Sequence, residues 1–329
     1  MLSEKRLQNS ERLWRSMRVV ELLIVAALIT LVGCEVFPRN AKVFSKNKYA
    51  IVVGINDYIL FPDGLNNDLK YCVADAESMK NMLEEAGWTV KLIASESNES
   101  INRFATKSAI ENALKIVPSD TESFMFYYSG HGFGGADSKK AYIIPSDYNY
   151  TATSMISTSE LAFLLEGVSA KNKIIILDSC YSGGFVDPAD SSDAVPGDYV
   201  RSFSRNNVSS YLQMLLNFGD LLAKNIMASG ISASSAPLVI SAAGWDEVSE
   251  EDPYVPPTIG HGYFSYFFLG AAEKASDGYM KGDADRDNVL SCLEAYSYAK
   301  TALESSGYDF LPHISGGLRD FALIDNRGN

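Results

Sequence analysis

A histidine and a cysteine, each flanked by glycine, carry the strongest chemical signal in this sequence. His131 lies in the tetrapeptide SGHG and Cys180 in the heptapeptide DSCYSGG. Each motif follows an apolar run, 124–128 or 174–177, of the kind that forms a buried strand in a parallel sheet. A nearby imidazole that takes the proton of a thiol turns the sulfur into an effective nucleophile near pH 7. The pattern therefore predicts a cysteine nucleophile with a histidine base.

Structural roles for these residue types are common, since cysteine packs as a small apolar residue and histidine is frequent in turns. The chain has only three histidines and four cysteines, so finding one of each at a glycine-flanked strand end favours catalysis. His261 is the rival base, but its position before an aromatic helical stretch favours a helix-start role. Cys72 lies on the apolar face of a predicted helix, and nothing suggests that Cys292 reacts.

The N-terminal residues have the organisation of an export signal. Five basic residues precede the apolar run 22–34, and a small residue precedes Cys34. This run is short for an ordinary membrane-spanning helix, although a signal anchor is an alternative. The sequence LVGC resembles the bacterial lipobox, whose cysteine is lipidated and becomes the first mature residue. We expect a signal peptide at 1–33, lipidation of Cys34 and a tether at 34–47, with Met17 as an alternative start.

These features predict a protein of the bacterial cell envelope that is held on a membrane by a lipid anchor and faces the periplasm or the exterior. The net charge of −13 and the absence of a basic stripe argue against nucleic acid as a partner. The negative net charge of the protein would attract basic substrates. Three cysteines remain once Cys34 is lipidated, so we expect no disulfide framework.

Apolar runs alternate with helical patterns along the chain, which predicts an α/β fold with a mainly parallel central sheet and helices on both faces. The predicted strands are 48–55, 88–93, 124–128, 173–177 and 237–242, with a short strand at 142–144. The predicted helices are 70–86, 105–117, 159–167, 263–274 and 294–303. Residues 186–236 interrupt this rhythm and are predicted to form a lid, linker or processing insertion.

The two motifs, in the wider contexts YSGHG and LDSCYSGG, resemble the catalytic blocks of the caspase-like cysteine peptidases. They are nearer to those of metacaspases and bacterial relatives than to those of animal caspases. The first strand, within YAIVVGINDY, and the helix that follows agree with this family. The resemblance implies a caspase-like three-layer sandwich over 48–275, with 276–329 as the C-terminal part of the same domain.

The resemblance also implies a role for each residue of the catalytic blocks. His131 would be the base, and Cys180 would be the nucleophile that forms a thioester with the acyl group of a protein or peptide substrate. The backbone amides of Gly132 and Cys180 would form the oxyanion site. This chemistry requires no cofactor.

Asp75 and Asp178 stand where metacaspases carry the acidic residues of the primary specificity pocket. Carboxylates there would favour cleavage after Arg or Lys. For Asp75 the alternative is an ordinary carboxylate near a helix N-terminus. The sequence departs from the family in two places, because 71–75 lacks the usual glycine and asparagine and Tyr181 replaces the usual histidine.

A second acidic segment, 283–294, has the spacing of a twelve-residue calcium loop. Asn288 replaces the usual glycine at position six, and asparagine tolerates the left-handed backbone that this position requires. The alternative is a solvated acidic turn before a helix. The predicted ligands, of which Val289 would use its carbonyl, are Asp283, Asp285, Asp287, Val289, Ser291 and Glu294.

Three functional hypotheses follow from the sequence. The first is a lipid-anchored cysteine endopeptidase that cleaves after basic residues. The second is a catalytically silent caspase-like lipoprotein that acts as a binding or scaffolding module. The third is an acyl transferase or ligase that uses the same thioester chemistry.

Overall fold

The computed structural model describes nine ranges of the chain: 42–58, 68–95, 105–134, 141–179, 237–242, 249–251, 259–308, 310–316 and 320–328. The predicted signal peptide, Cys34, Cys180 and the insertion 186–236 lie outside these ranges, and the predicted tether is described from Lys42 onwards. Within the described ranges, no helix is both long enough and apolar enough to span a membrane.

Eleven strands are described, and five α-helices and one 3-10 turn accompany them. The strands are β1 (Lys48–Ile55), β2 (Thr89–Ser95), β3 (Ser123–Ser129), β4 (Gly132–Gly134), β5 (Ala141–Ile143), β6 (Ile156–Ser157), β7 (Asn172–Asp178), β8 (Leu238–Ser241), β9 (Val289–Ser291), β10 (His313–Gly316) and β11 (Ala322–Asp325). The helices are α1 (Cys72–Glu85), α2 (Lys107–Lys115), α3 (Thr158–Glu166), α4 (Tyr263–Gly270) and α5 (Cys292–Ser306), and the 3-10 turn is Ala152–Ser154.

A six-stranded sheet with the order β10-β8-β7-β3-β1-β2 forms the centre of the fold. All neighbouring strands are parallel except β10, which runs antiparallel to β8 at one edge. Every residue of β3 is buried, as expected for a strand covered on both faces. The predicted α/β architecture with a mainly parallel sheet is thus confirmed.

Helices cover both faces of this sheet. On one face, α2 and α3 pack over the apolar cluster that includes Ile51, Phe126 and Ile175. On the other face, α1 approaches β1 so closely that a methyl group on Gly54 would lie 2.6 Å from the Cβ of Ala76. Helix α4 then packs against α1 and α5. The close approach at Gly54 fixes α1, which carries Asp75, beside the carboxyl end of β1.

Two small antiparallel sheets lie outside the main one. Strands β4, β5 and β6 form the first, which begins directly after His131. Strands β9 and β11 form the second, and β9 lies within the acidic loop 283–294. Ser291 is the N-cap of helix α5 and forms a capping box, in which Ser291 and Glu294 satisfy each other's backbone N–H groups.

Candidate active site

The main chain of His131 is held by two buried tyrosines. Its N–H donates to the hydroxyl of Tyr58 at 2.7 Å, and its carbonyl accepts from the hydroxyl of Tyr128 at 2.7 Å. The His131 ring also packs against the Tyr58 ring, with a centroid distance of 4.8 Å and an angle of 39° between the ring planes. Because both tyrosines are almost fully buried, they fix the position of the imidazole on a rigid support.

The strand register pairs the residues from which the two predicted catalytic motifs continue. Ser129 at the end of β3 pairs with Asp178 at the end of β7, and Gly130 N–H donates to the Asp178 carbonyl at 3.1 Å. His131 comes two residues after Ser129, and Cys180 comes two residues after Asp178. The loops therefore leave the sheet side by side, while the separation between the imidazole and the sulfur stays a prediction.

Gly132, the predicted oxyanion residue, is the first residue of β4 and pairs with Ile143 of β5. The chain after His131 is thus fixed by a short antiparallel ladder. The oxyanion role of Gly132 and Cys180 stays a prediction.

Asp75 is buried beside the carboxyl ends of the parallel strands and accepts hydrogen bonds from three groups. The donors are the Ser129 hydroxyl at 3.0 Å, the Gly262 N–H at 3.1 Å and the Nδ1 of His261 at 2.8 Å. Only 1% of the Asp75 side chain is exposed, against 21% for His261. His261 lies just before α4, in agreement with the predicted helix start. Its ring also covers one carboxylate oxygen of Asp75.

Asp178 is buried beside this group and is held by hydroxyl groups. Its Oδ1 accepts from the Ser249 hydroxyl at 2.7 Å, and its Oδ2 accepts from the Ser265 hydroxyl at 2.6 Å. The backbone N–H of Ser265 donates to Oδ2 as well, at 3.2 Å. Ser265 lies in the first turn of α4, so this helix helps to hold both aspartates.

The two carboxylates converge on Gly262. A methyl group at this position would lie 3.0 Å from Asp178 Oδ2 and 3.1 Å from Asp75 Oδ2, so only glycine fits without displacing one of them. No lysine or arginine of the described residues pairs with either carboxylate. Among the described residues, these two buried acidic groups therefore share a site in which His261 is the one ionisable group that could act as a counter-charge.

Burial governs the protonation of this pair. It raises the pKa of Asp75 to about 7, although the hydrogen bond from His261 opposes the shift, and the Asp178 charge adds to it. Burial also raises the pKa of Asp178, against the hydrogen bonds from Ser265 and Ser249. A cation placed between the carboxylates would favour their charged forms.

No local pattern in the sequence predicts the contacts of several residues of this site. Tyr58, Ser249 and Ser265 are ordinary polar residues in their own segments, and His261 is 186 residues away from Asp75. Their roles depend on contacts between distant segments. Glu251 is a further example, since its Oε2 accepts from the N–H groups of Lys70 and Tyr71 just before α1.

The acidic loop has the left-handed backbone predicted for its position six. Asn288 at position six has a φ of 64°. The Asp283 carboxylate accepts from the N–H groups of Asp287 and Asn288, at 3.1 and 2.9 Å. Ser291 caps α5 through its hydroxyl, and its role as a metal ligand stays a prediction.

Comparison with known proteins gives consistent results. The family described as Caspase domain matches residues 47–307. Metacaspase-1 of Scheffersomyces stipitis is 28% identical over 157 residues, which are 44% of this chain and 38% of that protein. Metacaspase-6 of Arabidopsis thaliana is 32% identical over 158 residues, 43% of this chain and 40% of that protein. The match thus spans about two fifths of these relatives.

Among solved structures, a protein from Geobacter sulfurreducens superposes with a TM-score of 0.51 at 18% sequence identity. The match covers 83% of this chain and 94% of that protein. At this identity the likeness concerns the fold alone.

Proposed function

Because the chain belongs to the caspase domain family, we propose that it is a cysteine endopeptidase with Cys180 as nucleophile and His131 as base. The observation that carries the proposal is the register of Ser129 with Asp178, which starts both catalytic loops at neighbouring points of one sheet edge. Polar groups that do chemistry collect at the carboxyl ends of parallel strands.

In the proposed reaction, His131 takes the thiol proton and the sulfur of Cys180 adds to the scissile carbonyl carbon. The N–H groups of Gly132 and Cys180 stabilise the oxyanion. The carbon–nitrogen bond then breaks, His131 gives its proton to the departing amine, and a thioester remains. Water, deprotonated by His131, hydrolyses the thioester and restores the thiol.

We further propose that the substrate residue before the cleaved bond is arginine or lysine. Asp75 and Asp178 support this specificity because their partners among the described residues are neutral donors and one histidine, which leaves negative charge for a basic side chain. A guanidinium can donate two parallel hydrogen bonds to a carboxylate. The substrate cation reaches Asp75 by displacing His261, which is partly exposed, whereas Ser129, the other described side chain that donates to Asp75, is buried.

Hydrolysis of peptide amides by the Cys180→Ala variant tests the proposal. We expect wild-type protein to cleave after Arg and Lys and not after Asp, and the variant to lose all cleavage because no other group replaces the sulfur. Cys292→Ala is the matched control, since Cys292 is a buried cysteine in α5 that the proposed site does not use.

Unchanged cleavage by Cys180→Ala would contradict the proposal. A wild-type protein that binds basic peptides without cleaving them would favour the catalytically silent binding module. Transfer of the acyl group to an added amine in place of water would favour the transferase or ligase.

A further inference from the structure

The acidic loop 283–294 holds a cation that belongs to the protein itself. We propose that the ammonium of Lys42 is the resident cation of this loop and that Ca²⁺ competes with it for the same oxygens. Lys42 is more than 240 residues away in sequence and enters the loop from the end of the predicted tether 34–47. The proposal is independent of the peptidase activity.

The ammonium contacts four of the oxygens that a calcium loop would offer. Lys42 Nζ lies 2.9 Å from Asp287 Oδ1, 3.0 Å from Glu294 Oε2 and 3.2 Å from Asp285 Oδ1. It also donates to the carbonyl of Val289 at 3.1 Å. These atoms belong to positions three, five, seven and twelve of the loop. The Lys42 ammonium therefore contacts four of the six predicted calcium ligands.

The loop has an internal framework that does not involve Lys42. Asp283 accepts two backbone N–H groups, and Asn288 holds the left-handed turn. Glu294 Oε2 also accepts from the N–H of Ser291 at 3.0 Å, which fixes the carboxylate through the helix cap. These contacts orient the oxygens inward, toward the point where the ammonium lies.

Burial and charge make Lys42 a strongly held but incomplete counter-ion. Only 10% of its side chain is exposed, and 13% of the Glu294 side chain. One ammonium facing several carboxylates leaves excess negative charge, which a divalent ion would neutralise further.

Lys42 also fastens its own segment to the C-terminal part of the fold. Next to it, Val43 N–H donates to the Asp320 carbonyl at 2.8 Å, and the Val43 carbonyl accepts from Ala322 N–H at 3.0 Å. The ammonium and this backbone pairing together hold the chain just before β1 against the β9–β11 sheet. Displacement of Lys42 by Ca²⁺ would therefore remove the side-chain half of the attachment.

Competition follows from the space available. Calcium binds oxygen at about 2.3–2.6 Å, closer than the 2.9–3.2 Å that separates Lys42 Nζ from these oxygens. An ion at this point would overlap the ammonium and repel its charge, so the two cations exclude each other. The apparent affinity for Ca²⁺ is then the intrinsic affinity multiplied by the fraction of molecules in which the Lys42 ammonium has left the loop.

Calorimetric titration of the full-length protein with CaCl₂ tests this inference. Lys42→Met keeps the aliphatic stem and removes the charge, so we expect it to bind one Ca²⁺ at least about tenfold more tightly than wild type. Its melting temperature should fall below that of wild type in EDTA and recover with Ca²⁺. Adding Asp287→Asn to Lys42→Met should abolish this binding, and Lys46→Met, which removes an exposed lysine of the same segment, should behave as wild type.

Amine acetylation of wild-type protein, followed by peptide mass spectrometry, provides a measurement that needs no variant. In EDTA, Lys42 should be acetylated more slowly than Lys46, and Ca²⁺ should raise the rate at Lys42 alone. Three results would each overturn the proposal. They are equal calcium affinity for wild type and Lys42→Met, no calcium binding by Lys42→Met, and a rate of acetylation at Lys42 that does not change with Ca²⁺.

Discussion

The charge of Asp75, and with it the attraction of the proposed pocket for a basic side chain, depends on pH. Its raised pKa of about 7 means that the carboxyl is neutral below this pH and charged above it. Attraction for a basic substrate side chain should therefore grow as pH rises through 7. The attraction increases with pH because a carboxyl gains negative charge when it loses its proton.

We expect kcat/KM for an arginine-ended peptide amide to rise between about pH 6 and pH 8, relative to the citrulline-ended peptide of the same shape. Because the ratio of the two substrates cancels the titration of the catalytic dyad, the measurement isolates the pocket. Asp75→Asn should remove the pH dependence of the ratio, and Asp120→Asn, at an exposed aspartate, should leave it intact. Parallel pH profiles for the two substrates in wild-type protein would contradict the role of Asp75.

His261 illustrates the limit of sequence reasoning at the level of single residues. Its neighbours predict a helix start, and the residue does lie just before α4. Its contact with Asp75 depends on the packing of α4 against α1, which no local pattern reports. The aspartates were found because the family resemblance marks their positions, whereas His261 has no such mark in the two catalytic motifs.

Among the secondary-structure elements, the buried strands were predictable because they are continuous apolar runs between polar segments. The predicted first strand, 48–55, coincides with β1, and the predictions at 124–128 and 173–177 each fall one residue short of β3 and β7 at both ends. Strand β10 was not predicted. It has four residues and includes His313 and Gly316, so it lacks the apolar run that marks the other strands of its sheet.

Helix α1 offers a prediction at the element scale. Its packing on β1 requires glycine at position 54, where a methyl group would overlap the carbonyl oxygen of Cys72. We expect Gly54→Ala to lower the free energy of unfolding by about 1–3 kcal/mol, as overpacking of a core does. Because α1 carries Asp75, the variant should also lose selectivity for arginine over citrulline.

Chemical denaturation and the substrate ratio measure these two effects. Gly270→Ala is the control, because the nearest atom to a methyl group there is 3.8 Å away. It should leave both quantities unchanged. A Gly54→Ala variant as stable as the control would show that α1 packs less tightly than this structure has it.

On the scale of the whole molecule, the order of elements and the fold class followed from the sequence, and the contacts between distant segments did not. Lys42 reaches the acidic loop, Glu251 reaches the start of α1, and Ser249 reaches Asp178 at the end of β7. Each contact satisfies a charge or a backbone group that its local segment leaves open. Such pairings depend on tertiary geometry, which alternation of apolar and polar residues does not encode.

We propose that the carboxyl ends of β3 and β7 bring His131 and Cys180 together in a peptidase selective for basic residues. An arginine-ended chloromethyl ketone tests it directly, because the reagent needs the pocket for binding and the activated sulfur for alkylation. Peptide mass spectrometry after incubation should find the adduct on Cys180 in wild-type protein. His131→Ala should form it far more slowly. An adduct at Cys72 or Cys292, no adduct, or equal rates with and without His131 would contradict the claim.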